Sequence, residues 1–289
     1  MKKQFLKAAI LGFLIFSIVG CAAQKPNWKE VVVSKGMTFT YHFKKGDKHT
    51  YRFTTNNTTS QEMNGQTQET NITNKSVEHY QVKEALKNGT FVIQAVIDSI
   101  DATFSNPMMN QIKPLYQKVL NKPVELILTK TGEVDTVKGL NAFPNIQGSA
   151  DWKKTFESLF FKLPTKPVKL GDTWTESKTQ HKKSVPLNIT INSKTKYLLK
   201  SIQSYKGADC LFITFTTDLS LSGNGNQAGM ELDYSANGSG SGKIYFDPVS
   251  STFLLTSSES SIEGTVSLPS RNMEIPSSTT VSVKGIRIE

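Results

Sequence analysis

The chain has 289 residues, with 34 Lys and Arg against 24 Asp and Glu, for a formal charge of +10. That length suffices for one large or two modest domains with real cores. The basic residues are dispersed, with no run longer than Lys153-Lys154 or Lys182-Lys183 and their neighbours. They read as a solvated surface and exclude a helix-borne nucleic-acid footprint, so no nucleic acid is expected as a partner.

Taken from its start, the chain opens with Lys2, Lys3 and Lys7, followed by an apolar run from Ala8 to Gly20. A basic stretch before a short apolar core is the pattern of a secretory signal peptide. The run is too short to span a bilayer, which needs about 20 apolar residues. Small residues do not form an A-x-A cleavage site but lead into a cysteine, as Ile18-Val19-Gly20-Cys21. This stretch resembles the lipobox of bacterial lipoproteins. The resemblance implies that Cys21 is thioether-linked to diacylglycerol and becomes the first residue of the mature chain. Several acyl chains, of the palmitate kind, at about 0.8 kcal/mol per buried methylene, make a durable membrane anchor where one chain alone is marginal. Residues 1–20 are then a signal peptide and 21–34 a lipidated tether. The expected location is the bacterial cell envelope, at the outer membrane if the host is Gram-negative; Ala22 is not the aspartate that serves as an inner-membrane retention cue. With Cys21 acylated, Cys210 has no disulfide partner, and within A-D-C-L-F-I-T-F it reads as a small buried hydrophobe.

Beyond the tether the residues are those of β-structure, with Thr, Val, Ile, Tyr and Phe in runs separated by Asn, Gly and Ser. Strand signals fall at 37–43, 50–55, 77–83, 90–100, 124–130, 187–199, 257–268 and 279–288. The clearest alternation sets Leu211, Ile213, Phe215, Thr217, Leu219 and Leu221 against Phe212, Thr214, Thr216, Asp218 and Ser220, which puts one set on an apolar face and the other in water. In the last run a bulge at Gly285 would bring Val281, Val283, Ile286 and Ile288 to one face.

Two segments have helical spacing. Asn106-Pro107 is a cap and first-turn proline, and apolar residues at Met108, Ile112, Leu115/Tyr116 and Val119 extend it as a helix near 107–121, kinked or divided at Pro114. A second helix is expected near 149–163, ending at Pro164. On it Trp152, Phe156 and Phe160 stand at i, i+4 and i+8 and share one face. These three rings are the candidate ligand-binding residues; their competing role is to plug a core.

Three signals recur in order. Lys45-Gly46-Asp47 before Tyr51 matches Leu170-Gly171-Asp172 before Trp174. Tyr80–Lys83 with a turn at Asn88-Gly89 matches Tyr197–Lys200 with a turn at Lys206-Gly207. Leu126–Val134 matches Ile244–Phe253. The pattern predicts a duplication, with one β-rich half over 35–145 and another over 146–289. The expected fold is α+β, mainly antiparallel β: two related curved sheets with one or two helices packed between or against them. The order G-D-x-x-Y, then L-x-L-x-K-x-G-E-V, then L-P-x-K-P-V-K-L-G-D-T-W is similar to a family of uncharacterised bacterial lipoproteins. That family brings no established activity. The plan of helices against a curled antiparallel sheet is also similar to periplasmic lipoprotein carriers and lipid-binding lipoproteins.

No catalytic constellation stands out. Asp172 reads as a turn residue that caps backbone amides. The glycine-rich stretch at 222–242 lacks phosphate-loop spacing and reads as a mobile hairpin loop or a packed glycine strand. His42, His49, His79 and His181 are scattered, without metal-ligand spacing, and there is no G-x-S-x-G elbow or paired carboxylates. The chain is therefore expected to be a non-enzyme with no metal and no cofactor. Two roles fit: holding an apolar ligand such as a lipid or lipopeptide, or serving as an envelope protein-interaction module with a filled core.

Overall fold

The structure is a computed structural model that describes residues 27–63, 65–144, 151–184, 187–227 and 229–289. Its dominant feature is one antiparallel sheet of eleven strands. These are β1 (Lys48–Met63), β2 (Gln66–Ala85), β3 (Phe91–Phe104), β4 (Val124–Leu128), β5 (Val134–Lys138), β6 (Thr173–Ser184), β7 (Leu187–Tyr205), β8 (Ala208–Gln227), β9 (Met230–Asp247), β10 (Thr252–Leu268) and β11 (Met273–Arg287). Their order is β5-β4-β3-β2-β1-β11-β10-β9-β8-β7-β6. The mainly antiparallel α+β character expected from the sequence is what the chain adopts. The two sheets expected are the two wings of one sheet, because β11 pairs with β1 along eleven residues, from Tyr51↔Arg287 to Gln61↔Ser277.

The period-two patterning decides which face is covered. Along β3, Phe91, Ile93, Ala95 and Ile97 are buried while the residues between them are half-exposed. The same inner face carries Tyr51 and Phe53 of β1, Tyr80 and Val82 of β2, and Ile213, Ile244 and Phe246 of the other wing. The longer helical segments pack at one end of this face and plug it, while a short 3-10 turn, Pro269–Arg271, joins β10 to β11. Those in the plug are α1 (Trp28–Ser34), a 3-10 turn at Pro107–Ile112 running into α2 (Lys113–Gln117), and α3 (Trp152–Glu157). Part of the segment read as a tether is thus structured. Asn27 caps α1 by accepting from Lys29 N–H, and Val32 is fully buried. The helix expected near 107–121 is divided as Pro114 requires, since the ring removes a backbone donor. The helix expected near 149–163 closes at Glu157, so Phe160 lies one turn past its end.

The repeat is visible in detail. Asp47 accepts from Lys44 N–H at 2.7 Å and Asp172 from Lys169 N–H at 3.0 Å. Each follows a glycine of positive φ, Gly46 at 95° and Gly171 at 89°, a conformation that costs other residues a Cβ clash. Each then opens the first strand of its wing, and each turn bonds the matching residue of the next strand, Val82 in one wing and Leu199 in the other. The register corrects one pairing: Trp174 lies opposite Tyr197 as His49 lies opposite Tyr80, so His49, not Tyr51, is the counterpart of Trp174. The expected bulge at Gly285 is also absent. Gly285 stays in register between Phe53 and Thr256. A Cβ there would meet the Phe53 ring at 2.5 Å, so the glycine makes room for the aromatic and leaves Ile286 on the outer face.

The free edges, β5 and β6, are bridged by the segment after α3. Leu163 N–H donates to Thr131 O at 2.8 Å. The Tyr41 hydroxyl donates to Phe161 O at 2.8 Å and accepts from Phe161 N–H at 2.9 Å. Tyr41 is buried, so Tyr41→Phe leaves a buried carbonyl and amide without partners. A loss of about 1–3 kcal/mol is expected in urea melts; a change within error would mean that water replaces the hydroxyl.

Candidate ligand-binding face

Beyond the plug the long strands continue, and their alternation continues with them. In register across the inner face run Ile191, Leu221, Ala236 and Gly264, then Ile189, Gly223, Tyr234, Val266 and Ile275. On the outer face of the same strands stand Asn192, Ser220, Ser222, Asn237 and Glu263. The alternation is the reverse of the outward apolar band and polar interior of a membrane-spanning barrel. Ile189, Ile191, Leu219, Leu221, Ile262 and Val266 are half-buried and belong neither to the core cluster nor to the residues packed against it. Among the described residues no helix covers them. An apolar sheet face of this extent is the kind of surface that soluble proteins normally cover or use.

Glycines set its shape. Gly238, Gly240 and Gly242 alternate along β9 and all face inward. A Cβ on Gly238 would lie 2.5 Å from Ser261 O and one on Gly242 2.5 Å from Ser257 O. Neighbouring backbones fold toward the inner side more tightly than any side chain would permit. The sheet therefore curls around its apolar face. Of the two readings of the glycine-rich stretch, the structure takes the packed strand, and the signal was its period of two.

Where the plug meets this face there is a cavity of about 590 Å³, lined by Phe160 and Phe161 from the plug and by Glu176, Thr195 and Tyr197 from β6 and β7. Lys162 stands at its rim, paired to Glu176 at 2.9 Å, and the paired carboxylate helps hold its ammonium above the usual lysine range. Of the three candidate rings only Phe160 reaches this cavity. Trp152 donates from Nε1 to Pro144 O at 2.8 Å and lies against Phe143 and Tyr116. Phe156 is fully buried against Phe143. These two rings are part of a packed plug.

The other residues singled out have structural surroundings. Cys21 lies outside the described residues. Cys210 is fully buried on β8, and burial pushes its thiol up to about 11. It should resist alkylation in the native protein and react only after denaturation; rapid labelling by a maleimide under native conditions would contradict this. His49 is half-buried beside Tyr80, and burial together with Arg287 lowers it to about 4. His79 pairs with Asp98 at 2.8 Å. A contact the sequence did not show joins Ser251 Oγ to His42 Nδ1 at 2.7 Å. Ser251 is 1% exposed, and no carboxylate among the described residues orients the ring. His42 also bonds Val249 O at 3.1 Å, so this contact fastens the β9–β10 turn to the chain at 40–42. No cluster of three His, Cys, Asp or Glu among the described residues could hold a metal ion, and no described helix is long and apolar enough to cross a membrane.

One group was missed altogether. Glu78 is 3% exposed on the inner face. One carboxyl oxygen accepts from Ser76 Oγ at 2.8 Å and the other, buried, has no partner. Burial pushes it up to about 7. Its parity along β2 is that of Ser76, Tyr80 and Val82, all buried, so the period of two was the signal that could have found it.

Residues 141–251 match a family described as "Family of unknown function (DUF6263)". No curated protein matches the sequence. Among solved structures, Pseudomonas aeruginosa OccK2 (OpdF) aligns with a TM-score of 0.28 at 6% identity, over 84% of this chain and 98% of that one. A loop L8 deletion mutant of OmpT, an outer membrane protein of Vibrio cholerae, aligns with a TM-score of 0.21 at 6% identity, over 84% of this chain and 100% of that one. DynF, from the dynemicin biosynthesis pathway of Micromonospora chersina, aligns with a TM-score of 0.23 at 6% identity, over 89% of this chain and 86% of that one. Likenesses this slight carry no argument about fold or function.

Proposed function

We propose that this is an exported lipoprotein, anchored to a bacterial envelope membrane through Cys21, whose body carries an apolar ligand and catalyses nothing. The observation that supports a carrier is the curled inner face of β7 to β10, apolar and extending beyond the plug. A lipid or acylated peptide laid along it would remove that surface from water at about 25 cal/mol per Å². The polar hydroxyls and amides of the outer face would stay solvated. The anchor would limit the distance: Cys21 is seven residues from the start of α1, and seven residues reach at most about 25 Å. On β8 about twelve residues follow Phe215, the last one packed against the core, and carry the open apolar end about 40 Å beyond the plug.

The test is purification of the full chain from envelope membranes in mild detergent, then mass spectrometry of extracted lipids. The anchor is read separately by labelled fatty-acid incorporation into the chain, which Cys21→Ser should abolish. A lipid retained by the wild type and lost from Leu221→Asp with its fold intact supports the carrier. Absence of any stoichiometric lipid from the wild type overturns it. It would leave the envelope interaction module, a reading that the closed packing around Phe143, Trp152 and Phe156 favours.

A further inference from the structure

The face opposite the helices carries a second feature, chemically unlike the first. A broad open groove of about 970 Å³ runs across the outer side of the sheet from Thr54 on β1 to Thr173 on β6. Six strand spacings separate these two strands, about 29 Å. Four lysines line it: Lys196, Lys200, Lys243 and Lys284, against the one acid Glu259. Eight ion pairs form elsewhere in the described residues, and none uses these four lysines. All four are exposed. Lys243 and Lys284 stand in one register row with Ser257 between them and Thr54 beyond. Their spacing is two strands, about 10 Å, with a hydroxyl between.

We propose that this groove binds a linear, phosphate-bearing polymer laid across the strands. The inference is independent of the ligand read for the inner face, since it rests on other residues and on the opposite side of the sheet. Ammonium groups without an ion-pair partner, carried on alternate strands β7, β9 and β11 of a fixed sheet, meet the charges of an extended polyanion without having to gather first. The choice of phosphate follows from the donors. Lysine is a point charge that serves phosphate from any direction, whereas planar carboxylates favour the arginine fork, and the groove is lined by no arginine. The interleaved Ser257, Thr54, Ser241 and Thr214 hydroxyls supply further donors to phosphate oxygens. A groove that crosses six strand spacings is a shape for one extended chain, whereas a bilayer presents a flat surface.

The test uses the full chain in non-ionic detergent, with long-chain inorganic polyphosphate as probe and tripolyphosphate as the short comparison. The long chain should bind at least ~10-fold more tightly, because it alone spans several lysines. Lys243→Gln with Lys284→Gln should weaken it about 10-fold or more at low salt and reduce the slope of log K against log[salt] by about 1.4, the release expected for two contacts on a single strand. Lys87→Gln with Lys118→Gln removes equal charge from exposed sites outside the groove and should change little. Glu259→Gln should tighten binding. Thermal melts on the same samples show whether each variant is folded. Equal losses in the two double variants would reduce the effect to net charge and overturn the proposal. So would tripolyphosphate binding as tightly as the long chain, or anionic phospholipid vesicles that compete through the same lysines and bind more tightly than the polymer.

Discussion

Phe156→Ala should lower the unfolding free energy by about 3–5 kcal/mol. The ring is fully buried, packed edge-on to Phe143 at 5.8 Å, within a cluster that also holds Trp152 and Leu159. Truncation removes its transfer from water and leaves a void that a plug bounded by two rigid strand edges cannot collapse to fill. The loss is a large share of the roughly 5–15 kcal/mol of a typical domain. Urea unfolding of variant and wild type, compared at constant slope, measures it. A loss below ~1.5 kcal/mol would mean that the plug is loosely packed and that the ring belongs to a ligand space after all. A large loss with unchanged lipid retention would instead confine any ligand to the face beyond the plug.

The second large effect is a pH dependence centred on Glu78. Its carboxyl is pushed up to about 7 by burial, with Asp98 adding to the shift and the Ser76 hydroxyl opposing it. In the unfolded chain it titrates near the ordinary value of 4.5. Between those two values the folded state holds a proton that the unfolded state has released. Stability from this group is therefore full below about pH 4.5 and lost progressively as pH rises to about 7. The span corresponds to about 3 kcal/mol. Glu78→Gln keeps the shape and cannot ionise, so its stability relative to the wild type should rise by about that much between pH 4.5 and 8. His49, lowered to about 4, acts in the opposite sense between about pH 4 and 6.5 and flattens the wild-type curve. The difference between variant and wild type cancels the histidine and isolates Glu78. A difference that does not change with pH would show that water reaches the carboxyl.

How much of this was legible beforehand can be judged residue by residue. The alternation of Leu211, Ile213 and Phe215 against Phe212 and Thr214 is the alternation found, because a strand face is read directly from period two. The turns at Asp47 and Asp172 were legible for a similar reason. A glycine of positive φ followed by a capping aspartate is local chemistry that needs no tertiary partner. The aromatic stripe at 152–160 announced burial correctly, while its helix was overextended: side-chain spacing does not reveal that backbone bonding stops at Glu157. Among the site residues, Phe160 alone borders a cavity, and neither the uncovered inner face nor the cationic groove was named.

The sequence by itself determined the antiparallel β-rich class, the repeat of the Gly-Asp turns, and which side chains share a face of each strand. These are properties of residues a few positions apart. Tertiary structure alone decided that two wings make one sheet and that the inner side of β7 to β10 extends beyond the plug. It also gathered Lys196, Lys200, Lys243 and Lys284 from three strands into one groove. The reason is register. Whether β11 closes on β1, and so sets Lys284 beside Thr54, depends on pairing between residues more than 200 positions apart, and no local pattern along the chain records that choice.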